Sequence, residues 1–211
     1  MRSGQIARTQ PLCPSFGYSR GRPIDRFYIE KFLADHAGDI RGRVLEIGDD
    51  AYSRRFGGDR ITRQDVLDVR PGQPGATLTG SLADPDVLPA GAFDCIILTQ
   101  TLHLIFDLQR AVDQVRRALG PDGVALITVP GISAVDRSDW GASWQWSFTA
   151  ASLQRLLGGA FDPDKVACAV HGNLFAATAF LHGAAVEDVN ANSLGLVDAA
   201  YPVTIVARAA A

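Results

Sequence analysis

The chain has 211 residues, of which 20 are basic and 23 acidic, so its net charge at pH 7 is −3. This length predicts one domain, and an apolar content of 47% is too high for a disordered chain. The charge balance argues against a nucleic-acid binder that works through a broad basic field. The apolar runs are far shorter than the roughly 20 residues that a bilayer requires, so we expect no membrane segment.

Cysteine usage and the first residues favour a cytoplasmic protein. Residues 1–10 contain two arginines but no apolar block, which predicts that no signal peptide is present. Cys13, Cys95 and Cys168 are odd in number, widely spaced and without a CxxC pair, so they suggest neither a disulfide framework nor a metal site. All but two of the 20 basic residues are arginine, as is typical of a GC-rich bacterial gene.

Residues 1–22 are polar and carry prolines and glycines, which predicts an arm lying on the surface of a single domain over residues 23–211. A first helix is expected from Pro23, which suits a first helical position. Further helices are expected at 50–56, after Asp107, after Thr149 and at 175–181. The expected strands are 44–48, 60–66, 76–79, 93–99, 124–129, 166–170 and 203–207.

Strands that alternate with helices predict an α/β fold with a doubly wound parallel sheet and helices on both faces. Ligands of such sheets bind beyond the carboxyl ends of the strands. Asp65 lies 19 residues after Glu46, at the expected end of the second strand, where an acid can accept hydrogen bonds from ribose hydroxyls. Asp68 takes this role if the strand runs further. The candidate residues at the strand ends are Glu46, Gly48, Asp65, Ser81, Leu82, Gln100 and His103.

Several segments resemble the class I S-adenosylmethionine-dependent methyltransferases over roughly residues 40–180. The segment VLEIG is similar to the first motif of that family, and Asp65 matches its second acidic position. The segments LADPDVLPAGAFDCIILTQTLHLIFD and LQRAVDQVRRALGPDGVALITVPG resemble the stretches that contain the family's later strands. The segment WSFTAASLQRLL is similar to the segment that opens the next helix in those members that methylate small molecules. The resemblance implies a Rossmann-like, mostly parallel sheet with an antiparallel last strand, and S-adenosylmethionine as the cofactor.

The chain departs from the family's GxGxG loop, since Gly48 is followed by Asp49, Asp50, Ala51 and Tyr52. Glycines there let the backbone approach the methionine part of the cofactor closely. Asp50 is either a ligand of the cofactor's ammonium or sulfonium group or an obstacle in a site that has lost the cofactor. Ser81 stands where many members have an aspartate near the adenine, and it can still accept a hydrogen bond.

The acceptor side has two groups of candidates. His103 is the candidate base, because an ordinary imidazole titrates near neutral pH. Trp140, Trp144 and Trp146 lie between the fifth strand and the next helix, where large aromatic rings can form a rigid wall of an acceptor pocket. Tyr28 on the first helix is expected to close this pocket from the other side.

These observations predict methyl transfer from S-adenosylmethionine to a small molecule, with a sugar-containing or secondary metabolite as one option. The alternative is a methyltransferase-fold protein that has lost methyl transfer and acts as a binding or regulatory partner or in another reaction. No GxGxxG follows the first strand, which disfavours a nicotinamide-dependent oxidoreductase. No Pro-Pro-Tyr type tetrapeptide follows the fourth strand, which disfavours a nucleic-acid methyltransferase. The oligomeric state is left open, with a homodimer as one option.

Overall fold

A computed structural model describes residues 8–211. Its single seven-stranded sheet has the order β3-β2-β1-β4-β5-β7-β6. The pairs among β1 to β5 are parallel, whereas β7 is antiparallel to both β5 and β6. The doubly wound, mostly parallel sheet with an antiparallel last strand is therefore confirmed. The strands are β1 Gly42–Ile47, β2 Ile61–Asp68, β3 Leu78–Thr79, β4 Phe93–Thr99, β5 Leu119–Pro130, β6 Val166–His171 and β7 Thr204–Ala210.

Helices cover both faces of the sheet, as the alternation predicted. Their bounds are α1 Ile24–Asp35, α2 Ala51–Gly57, α3 Leu108–Ala118, α4 Ala150–Leu157, α5 Leu174–Leu181 and α6 Ala191–Leu194. One core layer packs α3 and α4 against the sheet, and the other packs α1 and α2 against its opposite face. Short 3-10 turns lie at Ala37–Asp39, Gly58–Arg60, Leu102–Leu104, Asp139–Ser143, Pro163–Lys165 and Val186–Asp188.

Local sequence signals explain several helix starts. The Asp107 side chain accepts a hydrogen bond from the Arg110 amide, which caps α3. Thr149 and Ser152 form a reciprocal capping box at the start of α4. Asp107 and Thr149 were both predicted as caps from the sequence. The apolar side chains of each helix pack against the sheet.

Several strands are longer than the sequence indicated, β2 and β5 among them. β2 continues through Leu67 and ends at Asp68, because Leu67 is buried and still paired with Ile47 of β1. β5 begins at Leu119 rather than at the expected residue 124. The longer β2 changes which acidic residue stands at the carboxyl edge of the sheet.

The first part of the predicted arm, residues 1–7, lies outside the described residues. The rest of the arm is packed more closely than a surface segment: Cys13 is only 3% exposed, and the Leu12 amide donates to the carbonyl oxygen of His182, just after α5. Further along, Arg20 forms a two-pronged ion pair with Asp188 at 2.7 Å. These contacts hold the arm across the carboxyl edge of the sheet.

Within residues 8–211, no helix combines the length and apolarity needed to cross a bilayer. The same part of the chain contains no cluster of three or more His, Cys, Asp or Glu side chains arranged to hold a metal ion.

Candidate active site

Three adjoining cavities lie along the carboxyl edge of the sheet. We call them the strand-end cavity (about 630 Å³), the helix cavity (about 520 Å³) and the aromatic cavity (about 340 Å³). Gln100, directly after β4, lines all three of them. It adopts a left-handed backbone conformation with φ of 48°, which is uncommon outside glycine and is often found at functional sites. Gln100 therefore marks the point where the three spaces meet.

The strand-end cavity is formed by the ends of β1 to β4. Its lining includes Gly48, Asp68, Ser81, Leu82 and Gln100. The Asp68 carboxylate receives two hydrogen bonds from the Arg70 side chain, at 2.8 and 3.0 Å. These bonds hold the pKa of Asp68 below its ordinary value, so the group is a carboxylate at neutral pH and can accept hydrogen bonds from hydroxyl groups.

The helix cavity lies between α1, α2 and the end of β1. Glu46 is 1% exposed, and its carboxylate accepts hydrogen bonds from the amides of Tyr52 at 3.2 Å and Ser53 at 2.7 Å. Burial outweighs these bonds and raises the pKa of Glu46 to about 7. Asp49 and Arg26 also line this cavity, so it presents both acidic and basic side chains.

The aromatic cavity is closed by the arm. Phe16 stacks between Trp144 and Phe180, with ring centroids 6.3 and 6.0 Å apart, and it holds a positive φ of 54°. Tyr18 from the arm and Trp140 complete the aromatic lining. Large aromatic rings on several sides favour a flat, mostly apolar ligand.

His103 lies at the wall of the aromatic cavity, 3% exposed, with its ring 4.2 Å from that of Trp144. Burial, assisted by the charge of Arg26, lowers the pKa of His103 to about 4. Its Nδ1 atom is buried and has no hydrogen-bond partner among residues 8–211. At neutral pH the imidazole is therefore uncharged, and it is a weaker base than an ordinary histidine.

A family model described as a methyltransferase domain matches residues 29–161, which is well over half of the chain. The chain belongs to the methyltransferase family. This match confirms the resemblance to class I S-adenosylmethionine-dependent methyltransferases, with methyl transfer as the activity and S-adenosylmethionine as the cofactor.

Similar proteins of known structure share the fold of this methyltransferase. A SAM-dependent methyltransferase from Archaeoglobus fulgidus superposes with a TM-score of 0.58 at 10% identity, covering 88% of this chain and 94% of that one. The N-methyltransferase NodS from Bradyrhizobium japonicum, crystallised with S-adenosyl-L-homocysteine, gives 0.54 at 15% identity over 98% and 94% of the two chains. The cyclase SpnF gives 0.58 at 16% identity over 88% and 80%. At these identities the likeness shows the fold alone.

One curated protein contains a related segment. Over 64 residues the methyltransferase is 39% identical to Probable polyketide synthase 10 of Dictyostelium discoideum. That segment is 30% of this chain but only 3% of the synthase, so the chain spans a very small part of that protein.

The cavities of this methyltransferase fit the cofactor. Gly48 has a φ of 90°, and a Cβ atom there would point into open space at the lip of the strand-end cavity. This position therefore keeps room for a ligand that approaches the backbone closely. Asp68 and Ser81 offer acceptor oxygens on the same cavity, while Asp49 and Arg26 offer both charges in the helix cavity.

Two of the residues predicted to contact the cofactor, Asp65 and Asp50, do not line any of the three cavities. Asp65 lies inside β2 opposite Leu45, and its carboxylate is bound by Arg43 at 2.7 Å and Thr77 at 3.0 Å rather than facing a cavity. Asp68, three residues on, is the acid at the strand end. Asp50 pairs with Arg54 on the exposed side of α2, and its neighbour Asp49 lines the helix cavity instead.

Two of the residues predicted to contact the acceptor, Tyr28 and Trp146, do not line the aromatic cavity. Tyr28 is 1% exposed in the core beneath the arm, where its hydroxyl donates to the Leu194 carbonyl at 3.0 Å. Trp146 donates from Nε1 to the Ile105 carbonyl at 2.9 Å, outside the lining of the aromatic cavity. The remaining predicted residues lie at the cavities, and they are Glu46, Gly48, Ser81, Leu82, Gln100, His103, Trp140 and Trp144.

The sequence reasoning missed the contribution of the arm and one acid. Phe16 and Tyr18 line the aromatic cavity, although the arm carries no helical or strand periodicity that would have indicated them. Asp25 also lines this cavity, and in the sequence it reads simply as a favourable first-turn acid of α1.

Replacing Gly48 with alanine tests the open space at the end of β1. The positive φ makes alanine cost about 1 kcal/mol in unfolding free energy, and the added Cβ at the cavity lip is expected to weaken S-adenosylhomocysteine binding as well. Gly58→Ala is the matched control, because Gly58 also has a positive φ of 54° and open space around its Cβ but lies outside the cavities. Urea unfolding should show a loss in both variants, and calorimetry a loss of affinity in Gly48→Ala alone. Equal affinities in the two variants would contradict this assignment of the cavity.

Proposed function

We propose that the protein transfers a methyl group from S-adenosylmethionine to a small molecule bound in the aromatic cavity. The observation that carries the proposal is the meeting of the three cavities at Gln100. In this arrangement the strand-end cavity takes the adenosine half of the cofactor, the helix cavity takes the methionine half, and the junction brings the methyl group to the acceptor.

The strand-end residues are suited to hold adenosine. Asp68 stands where an acid at the end of the second strand accepts hydrogen bonds from both ribose hydroxyls. Arg70 must release at least one of its two side-chain bonds to Asp68 for this, and its side chain, which is 54% exposed, has solvent to move into. Ser81 and the buried Leu82 offer a hydroxyl and an apolar surface to the adenine ring.

The helix cavity is suited to an amino-acid group that carries both charges. Arg26 offers a guanidinium for the carboxylate, and Asp49 offers a carboxylate for the ammonium group. Glu46 fixes the loop between them by accepting from two amides at the start of α2. Because Asp50 points towards Arg54 and away from this cavity, the acidic loop leaves room for the cofactor. This favours the active enzyme over the alternative of a site that has lost methyl transfer.

Bound at this junction, the cofactor supplies an electrophilic methyl group that needs no further activation. The protein must then hold the acceptor in line with that group and keep water away from it. The aromatic walls at Phe16, Trp140 and Trp144 do both, since the rings are large, rigid and apolar, and Phe16 and Trp144 are stacked on each other. A base is required only where the acceptor atom still carries its proton.

Calorimetry with S-adenosylhomocysteine tests the proposal directly. We expect a dissociation constant in the micromolar range and a matching rise in melting temperature, because a ligand that binds the folded state stabilises it by mass action. NADH serves as the comparison ligand and is expected to give neither heat nor a change in its fluorescence. Absence of both heat and thermal shift at millimolar S-adenosylhomocysteine would overturn the proposal.

A further inference from the structure

Asp25 places a carboxylate on the wall of the aromatic cavity. Its side chain is 13% exposed. One carboxylate oxygen accepts from the Arg26 amide at 2.8 Å, while the other is 3.9 Å from Nε of Arg26. The second distance is too long for a hydrogen bond. Among residues 8–211, no other group donates a hydrogen bond to the Asp25 carboxylate. Its second oxygen can therefore accept a hydrogen bond from a ligand in the aromatic cavity.

The arginine beside Asp25 is engaged elsewhere. Nε of Arg26 donates to the Tyr18 hydroxyl at 2.9 Å, which turns the guanidinium towards the arm and the helix cavity. Asp136 adds a second carboxylate to the lining of the aromatic cavity, and His103 is neutral there. The lining therefore carries two negative charges against one positive charge. Burying a carboxylate is costly, and the ion pair of Asp25 with Arg26 is too long to include a hydrogen bond, so a cationic ligand that donates to the free oxygen offsets part of that cost.

The aromatic walls favour the same kind of ligand. The faces of tryptophan and phenylalanine rings attract cations, and the attraction increases when water is excluded. Trp140, Trp144 and Phe180 place such rings in the lining of the cavity that Asp25 also lines. A neutral hydroxyl acceptor would pack against the aromatic walls but would bring no positive charge to the Asp25 oxygen that lies 3.9 Å from Nε of Arg26.

We infer that the acceptor is a primary or secondary amine on a small, flat and mostly apolar body, and that Asp25 is the catalytic residue that binds its ammonium form and removes a proton. This inference rests on the proposed function, since it assigns the substrate class of the same site.

The proton and electron balance is simple. An ammonium nitrogen has no free electron pair, so Asp25 first takes one proton and becomes a neutral carboxylic acid. The electron pair released on nitrogen forms the new N–C bond to the methyl carbon. The C–S bond breaks with its pair remaining on sulfur, which becomes a neutral thioether. The methylated nitrogen then carries the positive charge, and Asp25 returns its proton to solvent.

Burial acts in opposite directions on the two candidate bases in this cavity. It raises the pKa of Asp25, because the charged form of a carboxyl is disfavoured away from water. It lowers the pKa of His103 to about 4, because the charged form of an imidazole is disfavoured in the same way. The carboxylate is thereby made a stronger base and the imidazole a weaker one.

The test compares two probes of the same shape, phenethylamine and 2-phenylethanol, with S-adenosylhomocysteine present at saturation. Tryptophan fluorescence reports binding, since Trp140 and Trp144 line the cavity. We expect phenethylamine to bind the wild-type protein about tenfold or more tightly than the alcohol, as one charge-assisted hydrogen bond allows. Asp25→Asn should abolish this preference, whereas Asp25→Glu, which keeps the charge, should retain part of it.

Asp35→Asn is the matched control, because Asp35 lies at the other end of α1 and pairs with Lys31 in solvent. It should leave the preference for the amine unchanged. Equal affinity of the wild-type protein for both probes, or an unchanged preference in Asp25→Asn, would overturn the inference. Calorimetry of each variant with S-adenosylhomocysteine separates the two levels. Cofactor binding without amine preference defeats only the inference, whereas loss of cofactor binding in the wild-type protein defeats the proposed function as well.

Discussion

Asp68→Asn is expected to lower the affinity for S-adenosylhomocysteine by about tenfold, since a hydrogen bond to a charged group contributes about 1.5–3 kcal/mol. The reason is that Asp68 stands at the end of β2 on the strand-end cavity, where its carboxylate can accept from both ribose hydroxyls. Asparagine keeps the shape but loses the charge and replaces one acceptor oxygen with a donor. Isothermal calorimetry at fixed ionic strength measures the change.

Asp65→Asn is the matched control for this prediction, because it makes the same chemical change three residues earlier on the same strand. The Asp65 carboxylate is bound by Arg43 and Thr77 and is 3% exposed in its side chain. Its substitution should lower the free energy of unfolding and leave the cofactor affinity of the folded protein unchanged. A weaker affinity in Asp65→Asn together with a normal one in Asp68→Asn would contradict the placement of the ribose.

Arg70→Ala removes the side chain that now donates two hydrogen bonds to the Asp68 carboxylate. Arg70 now occupies both oxygens of Asp68, and its guanidinium also lies 5.6 Å from the ring centroid of Trp140. Since the ribose hydroxyls compete with Arg70 for these oxygens, removing Arg70 should keep or strengthen binding. A loss as large as that of Asp68→Asn would show that Arg70 contacts the cofactor itself.

The positions of Asp65 and Asp68 show why the sequence alone did not decide between these two acids. The apolar alternation located β2, and the spacing from Glu46 located an acid near its end. The register, which pairs Leu45 with Asp65 and Ile47 with Leu67, decides which acid reaches the edge. Strand ends read from one sequence shift by a few residues, and a shift of this size is enough to exchange one carboxylate for another.

Long-range contacts account for two differences between the predicted and the observed lining of the aromatic cavity, which are the position of Tyr28 outside it and the presence of Phe16 in it. Tyr28 is held in the core by the carbonyl of Leu194, which is 166 residues away in the chain. Phe16 reaches the cavity because the arm is held to the segment after α5 and because Trp144 and Phe180 lie on either side of its ring. Neither arrangement leaves a periodic signal, whereas His103, Trp140 and Trp144 lie in the segments that follow β4 and β5, which is where ligands of such sheets are expected.

Glu46 and His103 should give the stability of the protein two opposite dependences on pH. The pKa of Glu46 is raised from 4.5 to about 7, so the folded state binds this proton more tightly than the unfolded state does. Its contribution is fully present below about pH 4.5 and is lost as the pH rises to about 7, a change of about 3 kcal/mol. The pKa of His103 is lowered from 6.5 to about 4, so its contribution is present above about pH 6.5 and is lost as the pH falls.

The two contributions nearly cancel between about pH 4.5 and 6.5 in the wild-type protein. The pKa of Asp25 is raised, as that of Glu46 is, and the pKa of His171 is lowered, as that of His103 is. The contributions of Asp25 and His171 to stability therefore also change in opposite directions with pH. Glu46→Gln should therefore uncover a stability that rises with pH across this window by about 3 kcal/mol. His103→Asn should uncover a fall of similar size, and urea unfolding at several pH values measures both.

The double variant Glu46→Gln/His103→Asn provides the internal control. Both substitutions also remove packing or hydrogen bonds, for example the two amide bonds that the Glu46 carboxylate accepts, so each variant has a lower stability at every pH. That loss is constant with pH, whereas the slopes come only from the two titrating groups. The double variant should thus be less stable than the wild-type protein but as flat in its pH profile. If a single variant kept the flat profile, the group it removes would titrate alike in the folded and unfolded states, and burial would not govern its charge.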